Sequence, residues 1–392
     1  MFCNKRRCAT FRGRLFGITL LLCAGQTAAI DLGDTFVDPE DGRMDASRWL
    51  LEKKGFLPVP IIITEPAVGY GGGIGLTFFR QSIAEAAQNA KETGHVTPPD
   101  IFGIAAFGTE NGTKGLAGGG MFTFDEDRWR YRGGVGRMQV NLDYFGTSGG
   151  PFSDSQQSIG YSLDGWASSQ QVMRRLGGAS SNNWVGARWV YLDLDNTFDL
   201  GPNAGSFSGT DLTRRSSGLG LSLEHDSRDN IFTPSRGWTG GVETVFYDPD
   251  WGSDTRFESY RAHLFAYHPL SPKWVLGARV DGRTADGEVP FYQLPYLDMR
   301  GLPSARYQDE HTALAEIELR WNVTPRWAVV GFAGAGRAWG KREDFDEAGT
   351  VVSKGGGFRY LIARQLGLYM GMDFAWGPDD SAFYIQVGNA WR

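Results

Sequence analysis

Two stretches of this 392-residue chain set chemically useful side chains close together. His225, Asp226 and Ser227 supply an imidazole, a carboxylate and a hydroxyl, the three groups used in nucleophilic acyl transfer. They are consecutive, and consecutive residues of a strand point to opposite faces, so they cannot converge on one reacting atom. No catalytic residue is assigned. The five histidines (95, 225, 263, 268, 311) show no ligand spacing, and neither metal nor cofactor is expected. The second stretch is Asp298-Met299-Arg300-Gly301-Leu302-Pro303, a polar loop with one Arg-Gly pair. It leads into residues 313–321, where Glu316, Glu318 and Arg320 share one face and Ala315, Ile317 and Leu319 the other.

In a soluble sheet the apolar face of such a strand meets a core. Here nearly every later strand repeats the pattern, and nothing is left over to cover the apolar faces. Trp274, Leu276, Ala278 and Val280 oppose Gly277, Arg279, Asp281 and Arg283. Leu366, Leu368, Met370, Met372, Phe374 and Trp376 oppose Tyr369, Gly371, Asp373 and Ala375. With a side-chain period of 2, one set faces lipid and the other a wet lumen, in a closed antiparallel barrel. A soluble sandwich would place the charged set in a dry core. The chain also holds 55 Gly, 25 Phe, 14 Tyr and 13 Trp, the composition of strands with lumen-facing small residues and interfacial aromatics.

Residues 1–29 read as a secretory signal: five basic residues from Lys5 to Arg14, an apolar run from Leu15 to Leu22, and Thr27-Ala28-Ala29 for cleavage. All three cysteines lie there, so the exported chain has no disulfide or thiolate site. Loss of five positive charges takes the formal net charge from −6 to −11, which excludes a basic nucleic-acid footprint. No later apolar run reaches the ~18 residues that a spanning helix takes.

Residues 30–55 form a short acidic segment with one helix over 45–55, started by Asp45 and stopped by Gly55. That helix either plugs the lumen or caps the periplasmic mouth; a frayed leader is the plainer alternative. The barrel occupies 56–392. Strands are predicted at 56–63, 70–80, 101–109, 114–125, 128–146, 157–175, 183–199, 214–226, 238–248, 255–269, 273–285, 311–324, 326–339, 356–365, 366–377 and 381–391. That makes 16, with 12 or 14 left open if early hairpins are misread. Residues 81–100 read as an extracellular insertion. Pro58 and Pro60 lack backbone donors, so the first strand pairs weakly on one side, and Gly388 loosens the last strand. Together they mark a weak seam. The last strand sets Phe383, Ile385, Val387 and Trp391 on one face. A near-terminal aromatic there is the usual assembly signal of outer-membrane barrels, with Arg392 a departure.

Four motifs in order give the chain a family resemblance. They are Met299-Arg300-Gly301-Leu302 (V-R-G-F/Y), Glu318-Leu319-Arg320-Trp321 (E-L-R-F), the strand Phe332–Trp339 with Gly334 and Gly336 (F-x-D-x-G-x-x-W), and the hairpin Asp226-Ser227-Arg228-Asp229 with Pro234–Trp238. Over residues 56–392 the chain resembles the bacterial surface antigen family of the BamA/TamA outer-membrane superfamily. The resemblance implies that the loop before strand 12 folds into the lumen, with Arg300 pairing to the wall through Glu318, or through Glu316. The family's wall Asp falls at Gly334, so a second acid for Arg300 is expected to be missing. The resemblance is to the branch without periplasmic POTRA domains.

The function so implied is membrane-protein insertion, translocation or lipid movement through the seam, in the outer membrane of a Gram-negative bacterium. Expected partners are outer-membrane lipid and lipopolysaccharide, and the barrel-assembly machinery during biogenesis. A homodimer stays open and nucleic acid is excluded. A plugged structural barrel or passive pore is the alternative, and a hydrolase the remote one. Acidic loop residues (Asp248, Asp250, Asp254, Asp344, Asp346, Glu347) read as a solvated rim, with divalent ions at lipopolysaccharide as the other reading.

Overall fold

The computed structural model describes residues 35–52, 55–80, 100–144, 158–178, 180–199, 214–341, 343–378 and 380–391. A short helix α1 (Ser47–Glu52) precedes sixteen strands. These are β1 (Gly55–Ile63), β2 (Gly71–Phe79), β3 (Ile101–Thr109), β4 (Lys114–Phe124), β5 (Trp129–Tyr144), β6 (Ile159–Leu176), β7 (Asn183–Asp199) and β8 (Arg214–Asp226). The second half comprises β9 (Gly237–Tyr247), β10 (Phe257–Ser271), β11 (Trp274–Gly287), β12 (His311–Asn322), β13 (Trp327–Trp339), β14 (Val351–Ala363), β15 (Leu368–Trp376) and β16 (Ser381–Val387). Each strand pairs antiparallel with the next, in one sixteen-stranded sheet ordered β1 to β16.

The faces follow the alternation. Ile317 and Phe374 are about half exposed on the outside, while Glu316, Arg320 and Asp373 are buried inside. This inverts a soluble protein and fits a barrel in lipid, where closed pairing satisfies the backbone. β1 starts and β16 ends at one end, the base, where the turns 272–273, 323–326 and 364–367 also lie. The connections 288–310 and 340–350 lie at the other, the top.

The proposed signal segment lies outside the described residues. Several other expectations need correction. The helix is shorter than 45–55: Asp45 accepts from the Ser47 amide at 2.7 Å ahead of it, and residues 53–54 lie outside the described set. The insertion 81–99 also lies outside. Its flanking residues Phe79 and Ile101 pair with each other, and Phe79 also pairs with Gly55, so it leaves the sheet at the end where β1 starts. β14 begins at Val351 rather than 356. Residues 364–366 form a tight 3-10 turn ended by Gly367 at φ 61°, so Leu366 is buried in a turn and not on the outer face. β16 stops at Val387 because Gly388 (φ 79°) turns the chain inward, and Trp391 is buried, off the lipid face.

Candidate functional site

The β11–β12 connection, residues 288–310, folds into the lumen. Its anchor is apolar: Leu297, Met299 and Leu302 pack with Leu314 of β12 and Val351 of β14. Phe291, nearer the top, packs on Tyr144, Tyr161 and Phe198 of the far wall. The wall strand β13 makes room. A Cβ at Gly334 would lie 2.5 Å from Glu316 Cγ and 3.2 Å from Met299 Sδ, and one at Gly336 2.8 Å from Leu297 Cδ2. The small residues of the F-x-G-x-G stretch are thus the seat of the loop.

Arg300 lies between three wall strands. Its Nη1 donates to Glu318 Oε2 on β12 (2.7 Å) and to Asp373 Oδ2 on β15 (2.8 Å), and its guanidinium sits 3.5 Å over the Phe332 ring. Stacking on that ring explains why Nε and Nη2 find no hydrogen-bond partner. The expected missing acid is therefore a correction. Position 334 is filled by Glu316's own stem, and Asp373, from two strands away, is the second acid. Asp373 also takes a two-bond fork from Arg359 of β14 (2.6 and 2.8 Å) and is fully buried. Glu316 does not serve Arg300: it accepts from Arg279 at 2.8 Å, and Arg279 also donates to the Asp298 carbonyl of the loop at 2.8 Å. Asp281 binds Arg261 and Arg283 beside them. The loop is thus bolted to the wall by charge-assisted bonds among buried side chains, where each is stronger than at a surface.

Gly301 adopts φ 89°, a conformation that side chains resist, and a Cβ there would lie 3.2 Å from Ala375 Cβ and the Gly377 nitrogen. Its amide donates to Tyr384 Oη on β16 at 2.9 Å. Three residues on, the Ser304 amide and hydroxyl donate to Glu65, in the β1–β2 turn, at 3.1 and 3.2 Å. Burial pushes the Glu65 carboxyl above its usual range. The loop tip therefore touches both sides of the place where the sheet begins and ends.

That place carries no ladder: among the described residues no pairing joins β1 to β16. Pro58 and Pro60 share parity, so both missing donors fall on one edge of β1. The edge toward β2 keeps an unbroken register from Gly55 to Ile63. On the outside, Tyr70 stacks on Phe383 with ring centroids 5.5 Å apart. Ile385 and Val387 continue that outer face of β16.

The base is filled too. The β8–β9 turn, the D-S-R-D and P-S-R-G-W motif, reaches across the mouth. Asn230 donates to the Leu366 carbonyl (2.8 Å), and Arg320 of β12 donates to Ser235 (2.6 Å). Trp391 packs on Phe265 and Tyr267, against Gly277, whose missing side chain leaves space for the indole. A cavity of about 380 Å³ remains behind it, lined by Arg130, Arg132, Glu224, Arg228 and His263. The His225-Asp226-Ser227 run diverges as expected. His225 stacks on Trp238 at 3.9 Å, Asp226 forks to Arg228, and Ser227 donates to the Trp238 carbonyl. Asp248 and Asp254 at the top bind Arg256 and Arg215, and no group of three potential metal ligands occurs among the described residues.

No curated protein matches the chain significantly. Among solved structures it is similar to BamA from Haemophilus ducreyi lacking POTRA domains 1–3. The TM-score is 0.56 at 12% identity, over 86% of this chain and 70% of that one. It is also similar to CdiB from Acinetobacter baumannii (TM-score 0.57, 12% identity, 86% of this chain, 60% of that) and CdiB from Escherichia coli (0.55, 12%, 86%, 62%). At such identities the likeness is one of fold, and the chain spans three fifths of the CdiB chains. The Omp85 superfamily domain profile matches residues 122–391, most of the barrel, and the chain belongs to the Omp85 superfamily.

Proposed function

We propose that this barrel sits in the outer membrane of a Gram-negative bacterium, base toward the periplasm, and acts at its seam. There it inserts or translocates polypeptide, or moves lipid. One observation carries the reading: the seam lacks a ladder and is flanked by short strands, among them the shortest of the sheet. β16 has seven residues and β1 nine, against eighteen in β6. At about 3.3 Å per residue and ~45° tilt, β16 spans about 16 Å of height and β6 about 42 Å. A hydrocarbon core of about 30 Å must thin beside the seam, at a cost of fractions of a kcal/mol per Å. A client strand then meets an unpaired edge, able to accept it by β-augmentation, in a locally thin bilayer. Arg300, Glu318 and Asp373 hold the loop, and the loop holds the seam; none of them acts on substrate. Lipid, lipopolysaccharide and, during biogenesis, the assembly machinery are the partners this reading implies.

The test is a covalent lock. Cysteines at Phe56 and Val387, both exposed on the outer face at the base, in an exported chain otherwise free of cysteine, are joined by a short bismaleimide. Insertion of an unfolded small barrel into proteoliposomes is then followed, with loss of insertion as the expected result. Equal activity of locked and unlocked protein overturns the proposal. The filled lumen favours a second reading, a plugged structural barrel, over a passive pore; that reading predicts no insertion in either form.

A further inference from the structure

We infer that the segment before β1 is a strap that ties the first strand to the far side of the seam. Its fastening is concentrated on two arginines in turns at the base. Arg326, in the β12–β13 turn, is completely covered. Its Nε donates to Asp41 (2.5 Å), Nη1 to Asp45 (2.5 Å) and to the Leu361 carbonyl (3.2 Å), and Nη2 to Asp38 (2.5 Å) and Asp41 (2.9 Å). Every donor direction of that guanidinium is therefore used, and three carboxylates from one short segment supply most of it. Arg364, in the β14–β15 turn, donates to Asp38 (2.5 Å) and Glu40 (2.7 Å). Backbone contacts complete the fastening. The Ala46 amide donates to the Ile362 carbonyl (2.6 Å), the Arg364 amide to Asp45 (2.9 Å), the Gln365 amide to Ser47 Oγ (3.0 Å), and Tyr360 Oη to the Met44 carbonyl (2.7 Å).

All these partners belong to β13, β14 and their turns, one hairpin from β16. Yet the segment continues directly into β1, which starts at Gly55, three residues after α1 ends. From Ser47, the last fastened residue, the helix rises about 8 Å and the three residues after it reach at most about 11 Å, together about four strand spacings. A fastened strap therefore keeps the base of β1 within about four strand widths of the β14–β15 turn. The base of β1 cannot swing away from β16 until the strap lets go or is cut. A leader that merely covered Arg326 would make the same ion pairs without restraining β1. The strap thus explains what closes a seam with no ladder at its base, as the loop tip does nearer the top. The consequence for activity rests on the seam reading above; the tether itself does not.

The experiment cuts the strap after folding, so that no folding defect intervenes. A site-specific protease sequence is inserted between Lys53 and Lys54, and spin labels are placed at Phe56 and Val387, both exposed on the outer face at the base. A second pair at Phe56 and Phe78, register partners in β1–β2, reports whether that hairpin stays intact. In nanodiscs, cleavage is expected to broaden the Phe56–Val387 distance distribution and shift it outward by at least one strand spacing, about 5 Å, with the control pair unmoved. An unchanged Phe56–Val387 distribution after complete cleavage overturns the strap. So does a shift that the Phe56–Phe78 pair shares, because the hairpin has then come apart. Widening here together with an inert Phe56–Val387 lock would leave the strap standing and remove the seam function; the reverse pattern would do the opposite.

Discussion

The acid that matters most to the luminal loop is Asp373, not Glu318, and the two are separable by substitution. Asp373 is fully buried and accepts three bonds from two guanidiniums, those of Arg300 and Arg359. Glu318 makes one bond to Arg300, and its side chain keeps 16% of its exposure, so lumen water reaches it. In Asp373→Asn the shape survives and the charge goes. Arg300 then keeps only Glu318 as acceptor, Arg359 keeps only the Phe358 and Met372 carbonyls, and the amide must offer a donor where a carboxylate took bonds. Breaking a buried pair costs about 3–5 kcal/mol. In Glu318→Gln, Arg300 keeps Asp373 and the Phe332 ring, and the loss is about 1–2 kcal/mol.

These costs are local, so the assay must be local as well. Hydrogen exchange of the peptide carrying Met299 to Leu302 reports opening of the loop from the wall. At about 1.4 kcal/mol per tenfold, we expect exchange to rise by at least 100-fold in Asp373→Asn and by about 5- to 30-fold in Glu318→Gln. Strands β6 and β7, remote from the site, should exchange as before. Arg300→Lys should fall between them, because an ammonium keeps the charge but loses the stacking on Phe332. If Glu318→Gln frees the loop as much as Asp373→Asn does, the buried fork is not the anchor and this reasoning fails.

Gly301→Ala should free the same peptide by about 1–3 kcal/mol, from the positive φ and the contact with Ala375, while Leu302→Ala should act through packing alone; equal exchange in Gly301→Ala and the parent would refute the backbone argument. Planar-bilayer recordings should show no steady large conductance, and deletion of residues 288–310 should produce one; a large steady current through the intact protein would contradict a filled lumen. The strap should be sensitive to acid. Its hydrogen bonds from Arg364 and the Glu40 amide, with the Arg326 charge nearby, hold Asp38 down at about 2, and Arg326 holds Asp41 below its usual range. Asp45 is also lowered: burial opposes this, but bonds from Ser47, Arg326 and Arg364 win. Depressed carboxylates stabilise above their unfolded values and lose that stabilisation as pH falls through the folded ones. Labelling of a cysteine at Ala46, which is buried against the β14 end, by a pyridyl disulfide that stays reactive toward thiols in acid, should therefore stay slow relative to an exposed cysteine from neutral pH to about 4 and accelerate relative to it toward 2. Acceleration between pH 8 and 5 instead would point to another group.

Strand positions were legible in the sequence because a period of 2 is a local property: 311–324 and 326–339 were found as β12 and β13 within two residues. What lay beyond local pattern was register. Asp373 read as one polar residue among Tyr369, Gly371 and Ala375 on an inner face. Nothing local says that β14 and β15 place it opposite Gly357 and bring Arg359 and Arg300 onto it. A lone acid amid the apolar strand 368–376 was the available signal. Trp391 misled for a related reason. Its alternation with Phe383 and Ile385 continues through Gly388, where a positive φ breaks the strand without breaking the pattern. Asp38, Asp41 and Asp45 read as an acidic leader because their partners Arg326 and Arg364 sit in turns, where single basic residues carry no pattern.

A closed ladder and an openable seam make opposite demands, and the distribution of contacts here answers to the second. Unpaired backbone groups in hydrocarbon cost several kcal/mol each, so an open edge is tolerable only where few donors are exposed and the bilayer is thin. Pro58 and Pro60 remove two donors from β1, and the seven-residue β16 leaves a short edge to satisfy. What holds the edges together is then side-chain chemistry at separate heights. Ser304 on Glu65 and Gly301 on Tyr384 act from the lumen, Tyr70 on Phe383 from the lipid side, and the aspartates on Arg326 at the base. A ladder opens cooperatively or hardly at all, because each bond aligns the next. Separate clasps can be undone one at a time, each costing about what one buried pair or one stacked pair of rings contributes. On the seam reading, the order of release is set by which clasp a client, a lipid or a change of charge reaches first, and the strap, at the base with Asp41, Arg364 and Glu40 partly exposed to water, is open to such competition.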